Sequence, residues 1–398
     1  MAPSRNIIVA GAGIGGLTAS LALAQRGFRV VLLDQAERME EAGAGIQLSP
    51  NATKILSALG LAERLAADAV APSTIEICSN RGAVLSRLPL EYATARYGAP
   101  YWVTHRADLQ AALLEAVRAN PDIVLKLGIR VEDFVTHANG ISVGCRRGPE
   151  NADEAGIALI CADGVWSRLR LRLGLREKPV FRRRTAWRAL IPAADMPPEL
   201  RGNNVRLWLG QGAHLVHYPV KAGALVNIVA IVNDKWDKPG WSEPGDPREI
   251  AGRFANLGWS RLPRAIAAAP QNWQKWALYD LPPLRRWGDG PVTLLGDAAH
   301  PMLPFLAQGA AMAIEDAAVL AASLAHTPDD ITGSLRRYER ARRRRTRKAQ
   351  LAARRNSRTY HLSATEAAVR NLGLRLMSGK MLLRRYDWLY DWRAAPPT

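Results

Sequence analysis

Hydrophobic positions in this chain fall into continuous runs and alternating runs, with glycine-rich turns between them. The first continuous run, Asn6–Ala10 (NIIVA), stops at Gly11-Ala12-Gly13-Ile14-Gly15-Gly16. Leu17 to Arg26 then reads as a helix, and Phe28–Leu33 (FRVVLL) as a second buried strand closed by Asp34. A strand, turn, helix and strand within about 30 residues predict the right-handed crossover that begins a doubly wound parallel sheet. Alternation at Ser73–Ser79 and Ala83–Leu88, with Asn80-Arg81-Gly82 between, predicts a hairpin. Arg106–Asn120 predicts an amphipathic helix stopped by Pro121. From about Pro179 to Trp276 the texture turns to strands: TAWRALIP, NVRLWLG, AHLVHYPV and ALVNIVAIV. This block predicts an antiparallel sheet inserted into the first domain. Val292–Leu295 is another buried strand, a long helix begins near Gln308, and helices continue to the end.

The predicted fold is therefore α/β, a doubly wound Rossmann-like domain with an inserted, mainly antiparallel sheet and a C-terminal helical region. The expected boundaries are 1–178 and 277–355 for the nucleotide-binding domain, 179–276 for the inserted sheet and 356–398 for the helical end. The hairpin near 73–88 is expected to join the inserted sheet.

Length and composition narrow the class. With 398 residues, 48% hydrophobic and 23% charged, the chain suits a globular protein of about two domains. No stretch of the ~18 residues needed to span a bilayer is both apolar and free of charge, Gly and Pro. The segment MAPSRNIIVAGAG lacks a separate apolar core before a cleavage site. Cys78, Cys145 and Cys161 are scattered thiols without a CxxC, which argues against disulfides and a metal site. The expectation is a cytoplasmic protein with no integral membrane association, a homodimer being left open.

The net charge of +18 invites a nucleic-acid reading, so its placement matters. Between Arg336 and Arg358 twelve Lys/Arg stand against one acid, Glu339. The run predicts an exposed basic helix with a solvated face, an anionic membrane surface or an acidic partner being the alternative. No recognition motif accompanies it, so no nucleic-acid partner is expected.

Gly11-x-Gly13-x-x-Gly16 follows a strand and opens a helix, the context that gives such a pattern meaning. Gly11 permits the tight turn, Gly13 lets backbone approach a pyrophosphate, and Gly16 allows close helix–strand contact. Asp34 can accept hydrogen bonds from both hydroxyls of an adenosine ribose. These residues predict a dinucleotide without saying whether it is FAD or NAD.

Two later motifs bear on that choice. Asp163-Gly164-x-x-Ser167-x-x-Arg170 resembles the DGxxSxxR fingerprint of single-component FAD-dependent aromatic hydroxylases, the class A flavoprotein monooxygenases. Gly296-Asp297-Ala298-Ala299-His300-Pro301, with Pro304 and Gln308-Gly309 after it, resembles their GD fingerprint. GAGIQLSPNA (43–52), PYWVTHRADL (100–109) and AQGAAMAIEDAAVLA (307–321) resemble the salicylate, 3-hydroxybenzoate and 6-hydroxynicotinate hydroxylase branch.

The resemblance implies bound FAD, with NADH or NADPH as a transient co-substrate, and O2 converted through a flavin C4a-hydroperoxide. It implies hydroxylation of a small hydroxylated aromatic or pyridine carboxylic acid, with decarboxylation left open. Implied cofactor contacts are Gly11, Gly13, Ile14, Gly15, Gly16, Asp34, Gly45, Ile46, Arg106, Asp163, Gly164, Asp297, Pro304, Gln308, Gly309, Ala310 and Ala311. A helix opening at Gln308 would favour the negative charge of reduced flavin.

On the strand Ala213–Val220, His214 and Tyr218 share one face while His217 takes the other. His214 is the candidate base that turns a phenol into a better nucleophile, and Tyr218 the residue that orients it. His217 and His300 are expected to be structural. The rival readings are a dehydrogenase using NAD as substrate, a flavoprotein of this fold that does not hydroxylate, and a basic interaction module. The DG and GD segments disfavour the first, and the missing WxWxIP disfavours a halogenase.

Overall fold

Ile7, Ile8 and Val9 of the strand Asn6–Ala10 are fully buried, and two parallel neighbours bury them, Arg29–Leu33 on one side and Ala158–Cys161 on the other. In the computed structural model, which describes residues 6–39, 44–138, 140–240 and 242–393, this strand sits inside a six-stranded sheet. Residues 1–5 and Gly43, the first residue of GAGIQLSPNA, lie outside the described residues. The strand order is 288–289, 292–294, 158–161, 6–10, 29–33, 123–126, and only the 288–289 edge runs antiparallel. Strands buried on both faces need continuous apolar runs, which NIIVA, RVVLL and ALIC supply. The helices Ile14–Ala24 and Gly309–His326 cover one face, and Gly15 lets them meet: a Cβ there would lie 2.9 Å from Leu295 and 3.3 Å from Ala313.

An eight-stranded sheet stands beyond the carboxyl edge of the first, in the order 243–245, 273–280, 180–192, 225–233, 213–220, 204–210, 74–79, 84–89. Its pairings are antiparallel except that Asn204–Gly210 runs parallel to Thr74–Ser79. Alternation divides its residues between two faces. Trp187, Trp208, Leu215 and Ile228 pack on one face, under the helices Pro247–Asn256 and Arg261–Ala268. Tyr218, Val220 and Ile231 pack on the other, towards Leu303, Phe305 and Met312 of the parallel-sheet domain. A small antiparallel sheet of residues 130–137, 140–147, 150–151 and 154–156 was not expected from sequence. Two of its strands have only two or three residues, and Arg130–His137 is largely polar and buries no residue fully.

The basic run forms the helix Ile331–Tyr360, but expecting an exposed helix was wrong. Leu335, Tyr338, Arg342, Thr346, Ala349 and Ala353 make a buried stripe. Arg342 meets Glu315 and Asp316, Arg345 meets Glu315, and Arg354 meets Asp280. Only Arg340, Arg344, Arg347, Lys348, Arg355 and Arg358 form the solvated face. The acids that neutralise Arg342, Arg345 and Arg354 come from distant segments, so the local charge count misjudged the helix. Among the described residues no helix is long and apolar enough to cross a membrane.

Candidate active site

The glycines of the first turn have separate tasks. Gly11 has φ +109°, and a Cβ on it would stand 2.4 Å from the Ala162 carbonyl oxygen. On Gly16 it would stand 1.8 Å from the Gly11 carbonyl oxygen. The fold itself excludes side chains at both positions. At Gly13 a Cβ would meet nothing within 4 Å, so the approach to the helix N-terminus at Ile14 is open. The first-turn N–H groups lack helical acceptors and face an anion well. Asp34 accepts from Ala12 N–H at 2.6 Å and Ala36 N–H at 2.8 Å, which fixes the turn. Its remaining lone pairs suit two ribose hydroxyls.

Arg170 links the second motif to the third. It is fully buried and donates to the Val165 carbonyl at 3.0 Å and the Ala298 carbonyl at 2.9 Å. The turn at Asp163-Gly164 is thereby clamped to the turn at Gly296-Asp297. Asp163 Oδ2 accepts from Leu169 N–H at 3.3 Å, while Oδ1 is buried with no partner among the described residues. Burial raises the Asp163 carboxyl above its ordinary range, and hydrogen bonds from Ser167 and the backbone only partly offset this. An orphaned buried acceptor fits a ligand donor.

Asp297 is open to solvent yet ringed by protein, as befits a side chain on a cleft wall. Burial raises its pKa most, while His300 and Arg106 pull it down. Burial lowers Arg106, and Asp297 opposes that shift, so the two charges face each other. A Cβ on Gly309 would lie 4.0 Å from Asp297 Oδ1, which brings the helix N–H groups of Gly309, Ala310 and Ala311 alongside. Pro304 opens the short turn Pro304–Leu306, after which Ala307 takes φ +52°. The Gln308 side chain is engaged elsewhere, donating to Ser49 Oγ at 2.8 Å and accepting from Asn51 Nδ2 at 3.1 Å. Only its backbone is left for a cofactor. Together the open Gly13 cradle, the orphaned Asp163 oxygen and the Arg106–Asp297 pair fit a flavin dinucleotide.

Gly45 joins this cleft to the large sheet. Its N–H donates to Asn227 Oδ1 at 2.6 Å, and a Cβ would strike the Tyr218 ring at 2.6 Å. Ile46 lies half-buried on the same strand, and Gln47 accepts from the Tyr101 hydroxyl at 2.7 Å and bonds Tyr218. Burial raises the Tyr218 phenol, which therefore stays protonated. Arg188 projects from the same sheet face, with its guanidinium 5.0 Å from the centre of the Trp276 ring. Burial first, then Arg106, lowers its pKa to about 10. Among the described residues no carboxylate pairs with Arg188, and its Nε has no hydrogen-bond partner.

His214 shares this face but lies deeper than expected. Phe305, Tyr360 and His361 surround its ring at centroid distances of 4.9, 5.3 and 5.1 Å. Its Nδ1 is 2.8 Å from His361 Nε2. Burial, reinforced by Arg184, lowers the imidazole to about 3, so it is neutral at pH 7. His217 points to the opposite face and stacks on Trp208, and His300 is held at 2.5 Å by Asp316.

Arg170, Arg188, Gln47 and His361 were not singled out in sequence. Arg170 was already the last residue of DGxxSxxR. Arg188 could have been found as a lone cation at an inward position of a buried strand. His361 carries no local signal, because its partner is 147 residues away.

The family described as FAD binding domain matches residues 5–353. The 3-hydroxybenzoate 6-hydroxylase 1 of Aquipseudomonas alcaligenes is 37% identical over 388 residues, covering 97% of each chain. A 3-amino-4-hydroxybenzoate 2-monooxygenase of Streptomyces platensis is also 37% identical, over 98% of this chain and 96% of its own. Among solved structures, Klebsiella pneumoniae HpxO complexed with FAD and uric acid superposes with a TM-score of 0.84 at 27% identity, covering 96% of this chain and 95% of its own.

Proposed function

Because the chain belongs to the FAD binding domain family, and within it to the FAD-dependent aromatic monooxygenases, we propose that it hydroxylates a small hydroxylated aromatic or pyridine carboxylic acid. The observation that carries the substrate class is Arg188. A cation placed beside Tyr218 at the cleft, with no carboxylate partner in the described fold, is held at a desolvation cost that a substrate carboxylate offsets. Guanidinium and carboxylate match as a two-point fork, which also sets the angle of the ring. The two relatives at 37% identity are named for hydroxybenzoates, which points the same way and does not favour a reaction without hydroxylation.

Bound FAD supplies the activation of O2 and the transfer of one oxygen atom to the ring, using electrons from NAD(P)H. The chain's own groups bind and orient. Gly11, Gly13, Ile14, Gly15 and Gly16 present backbone to the pyrophosphate, and Asp34 takes the ribose. Asp163 and Gly164 hold the dinucleotide from the second turn. Arg106 and Asp297 would hold the polar side chain of the cofactor, and Gly45, Ile46 and Pro304 would hold its ring. The helix N-terminus at Gln308, Gly309, Ala310 and Ala311 would favour negative charge on a bound ring. Leu303, Phe305 and the apolar face of the sheet keep water out. Tyr218, with Gln47 and Tyr101 behind it, orients the substrate, and His214 Nε2 takes the proton of the substrate hydroxyl.

The test is a panel of hydroxylated benzoic and pyridine acids, each beside its carboxamide, scored for stimulated NADH and NADPH oxidation and for product mass. Acids gaining one oxygen, with amides inactive, is the expected result. Oxygenation of the amides alone, or of no member, overturns it.

A further inference from the structure

The His214–His361 contact continues outward. His361 Nδ1 lies 3.1 Å from Asn233 Oδ1 and 3.4 Å from Arg184 Nε, and Asn233 is exposed. Among the described residues none hydrogen-bonds His214 Nε2, which leaves that atom for the substrate on the reading of His214 as the base.

Two proton arrangements satisfy these contacts with both rings neutral. In the first, His361 Nδ1–H donates to Asn233 Oδ1, so His361 Nε2 is bare and accepts from His214 Nδ1–H. His214 Nε2 is then an acceptor. In the second, Arg184 Nε–H donates to His361 Nδ1, and His361 Nε2–H donates to His214 Nδ1. His214 Nε2 then carries hydrogen. The structure holds a partner for each end state, Asn233 for one and Arg184 for the other.

We propose that His361 is a positioning residue for the hydroxylation, forming with His214 a relay that carries the substrate's hydroxyl proton from the cleft to solvent beside Asn233. In one passage the substrate O–H bond breaks and its proton joins His214 Nε2. The His214 Nδ1 proton moves to His361 Nε2, and the His361 Nδ1 proton leaves to water. One proton enters, one leaves, and the first arrangement becomes the second. The inference rests on the reading of His214 as the base.

The relay answers a physical difficulty. A lone imidazole here would have to store positive charge near cations: Arg184 of the strand Val180–Pro192 acts on both rings, Arg370 of the helix Ala364–Leu376 acts on His361, and Arg358 stands near Arg184. Tyr360, also packed against it, has its phenol pushed up by burial and stays neutral. Burial, then His214, Arg184 and Arg370, lowers His361 to about 2. Passing the proton on means that neither ring holds the charge after the transfer.

The test uses the FAD-loaded full chain and 3-hydroxybenzoate as probe, comparing His361→Gln, His361→Phe and His214→Gln. Flavin content and probe binding, read by flavin fluorescence, check each variant's fold. For His361→Gln, whose amide can accept from His214 but cannot relay, kcat should fall about 100-fold at pH 7 while KM stays within about threefold. Its rate should climb with pH towards the phenol pKa of about 10, where the probe ionises unaided, against a flatter wild-type profile. His361→Phe should behave alike. A His361→Gln enzyme with wild-type kcat and pH profile overturns the relay, and if His214→Gln is still impaired the base assignment survives. Wild-type rates in both variants, or a wild-type enzyme that oxygenates no hydroxylated acid, overturn both.

Discussion

Arg342 and Asp316 form a buried ion pair, with Nε 2.6 Å from Oδ1 and neither side chain more than 1% exposed. The other Asp316 oxygen accepts from Gly296 N–H at 3.1 Å and lies 2.5 Å from His300. An arginine of the long helix therefore sets the turn that presents Asp297. Replacing Arg342 by Met should cost about 3–5 kcal/mol, because it leaves Asp316 without its arginine and takes one of two arginines from Glu315, both carboxylates being buried. Thermal melts of the FAD-loaded protein check this. The double change Arg342→Met with Asp316→Asn should recover part of the loss, and a melt unchanged in the single variant would contradict the pairing.

Gly11 and Gly13 should fail in different ways. Gly11→Ala forces a Cβ onto the Ala162 carbonyl at positive φ and should destabilise the fold by ~2–4 kcal/mol. Gly13→Ala has φ −70° and open space, so the fold should keep its melting temperature while FAD affinity drops at least about tenfold. Melting in the absence of cofactor, beside flavin titration, separates the two outcomes.

Arg188→Met should raise KM for the acid substrate about 100-fold and leave bound FAD in place, since a charge-assisted pair is worth ~2–3 kcal/mol here. A lost preference for acids over their carboxamides is the sharper signature. Equal KM values in variant and wild type would remove Arg188 from recognition.

Stability should fall on acidification. His214, His217 and His361 are lowered to about 3, 3 and 2, chiefly by burial. Unfolded histidine titrates near 6.5, so below that pH the unfolded chain binds protons that the native chain refuses. The stability is fully present above about 6.5 and is lost as pH falls, by up to ~1.4 kcal/mol per pH unit for each histidine. Melts between pH 7 and 5 read the slope, and His217→Phe, away from the cleft, should make it shallower. A melting temperature independent of pH would contradict the buried neutral state.

Local patterns were legible where they repeat at short range. The strand–glycine–helix unit and the strands of the large sheet follow from runs and alternation, which depend on neighbours within a few residues. The open space over Gly13 and the closed space at Gly16 follow from backbone geometry that the motif encodes. Charge was misread because Arg342, Arg345 and Arg354 find their acids 26, 30 and 74 residues away. His214 sat on the expected face, but its partner His361 is set by how the last helices return over the sheet. Pairings of that kind come from tertiary packing and leave no periodicity.

The parallel pairing of Asn204–Gly210 with Thr74–Ser79 also bears on chimeras. A graft that moves only 179–276 between relatives would set a foreign strand against Thr74–Ser79 and mismatch the side chains along that seam, even where the main-chain ladder re-forms. Exchanges meant to retune selectivity should transplant the hairpin Thr74–Pro89 in the same piece, because the eight-stranded sheet is stitched from two stretches of chain.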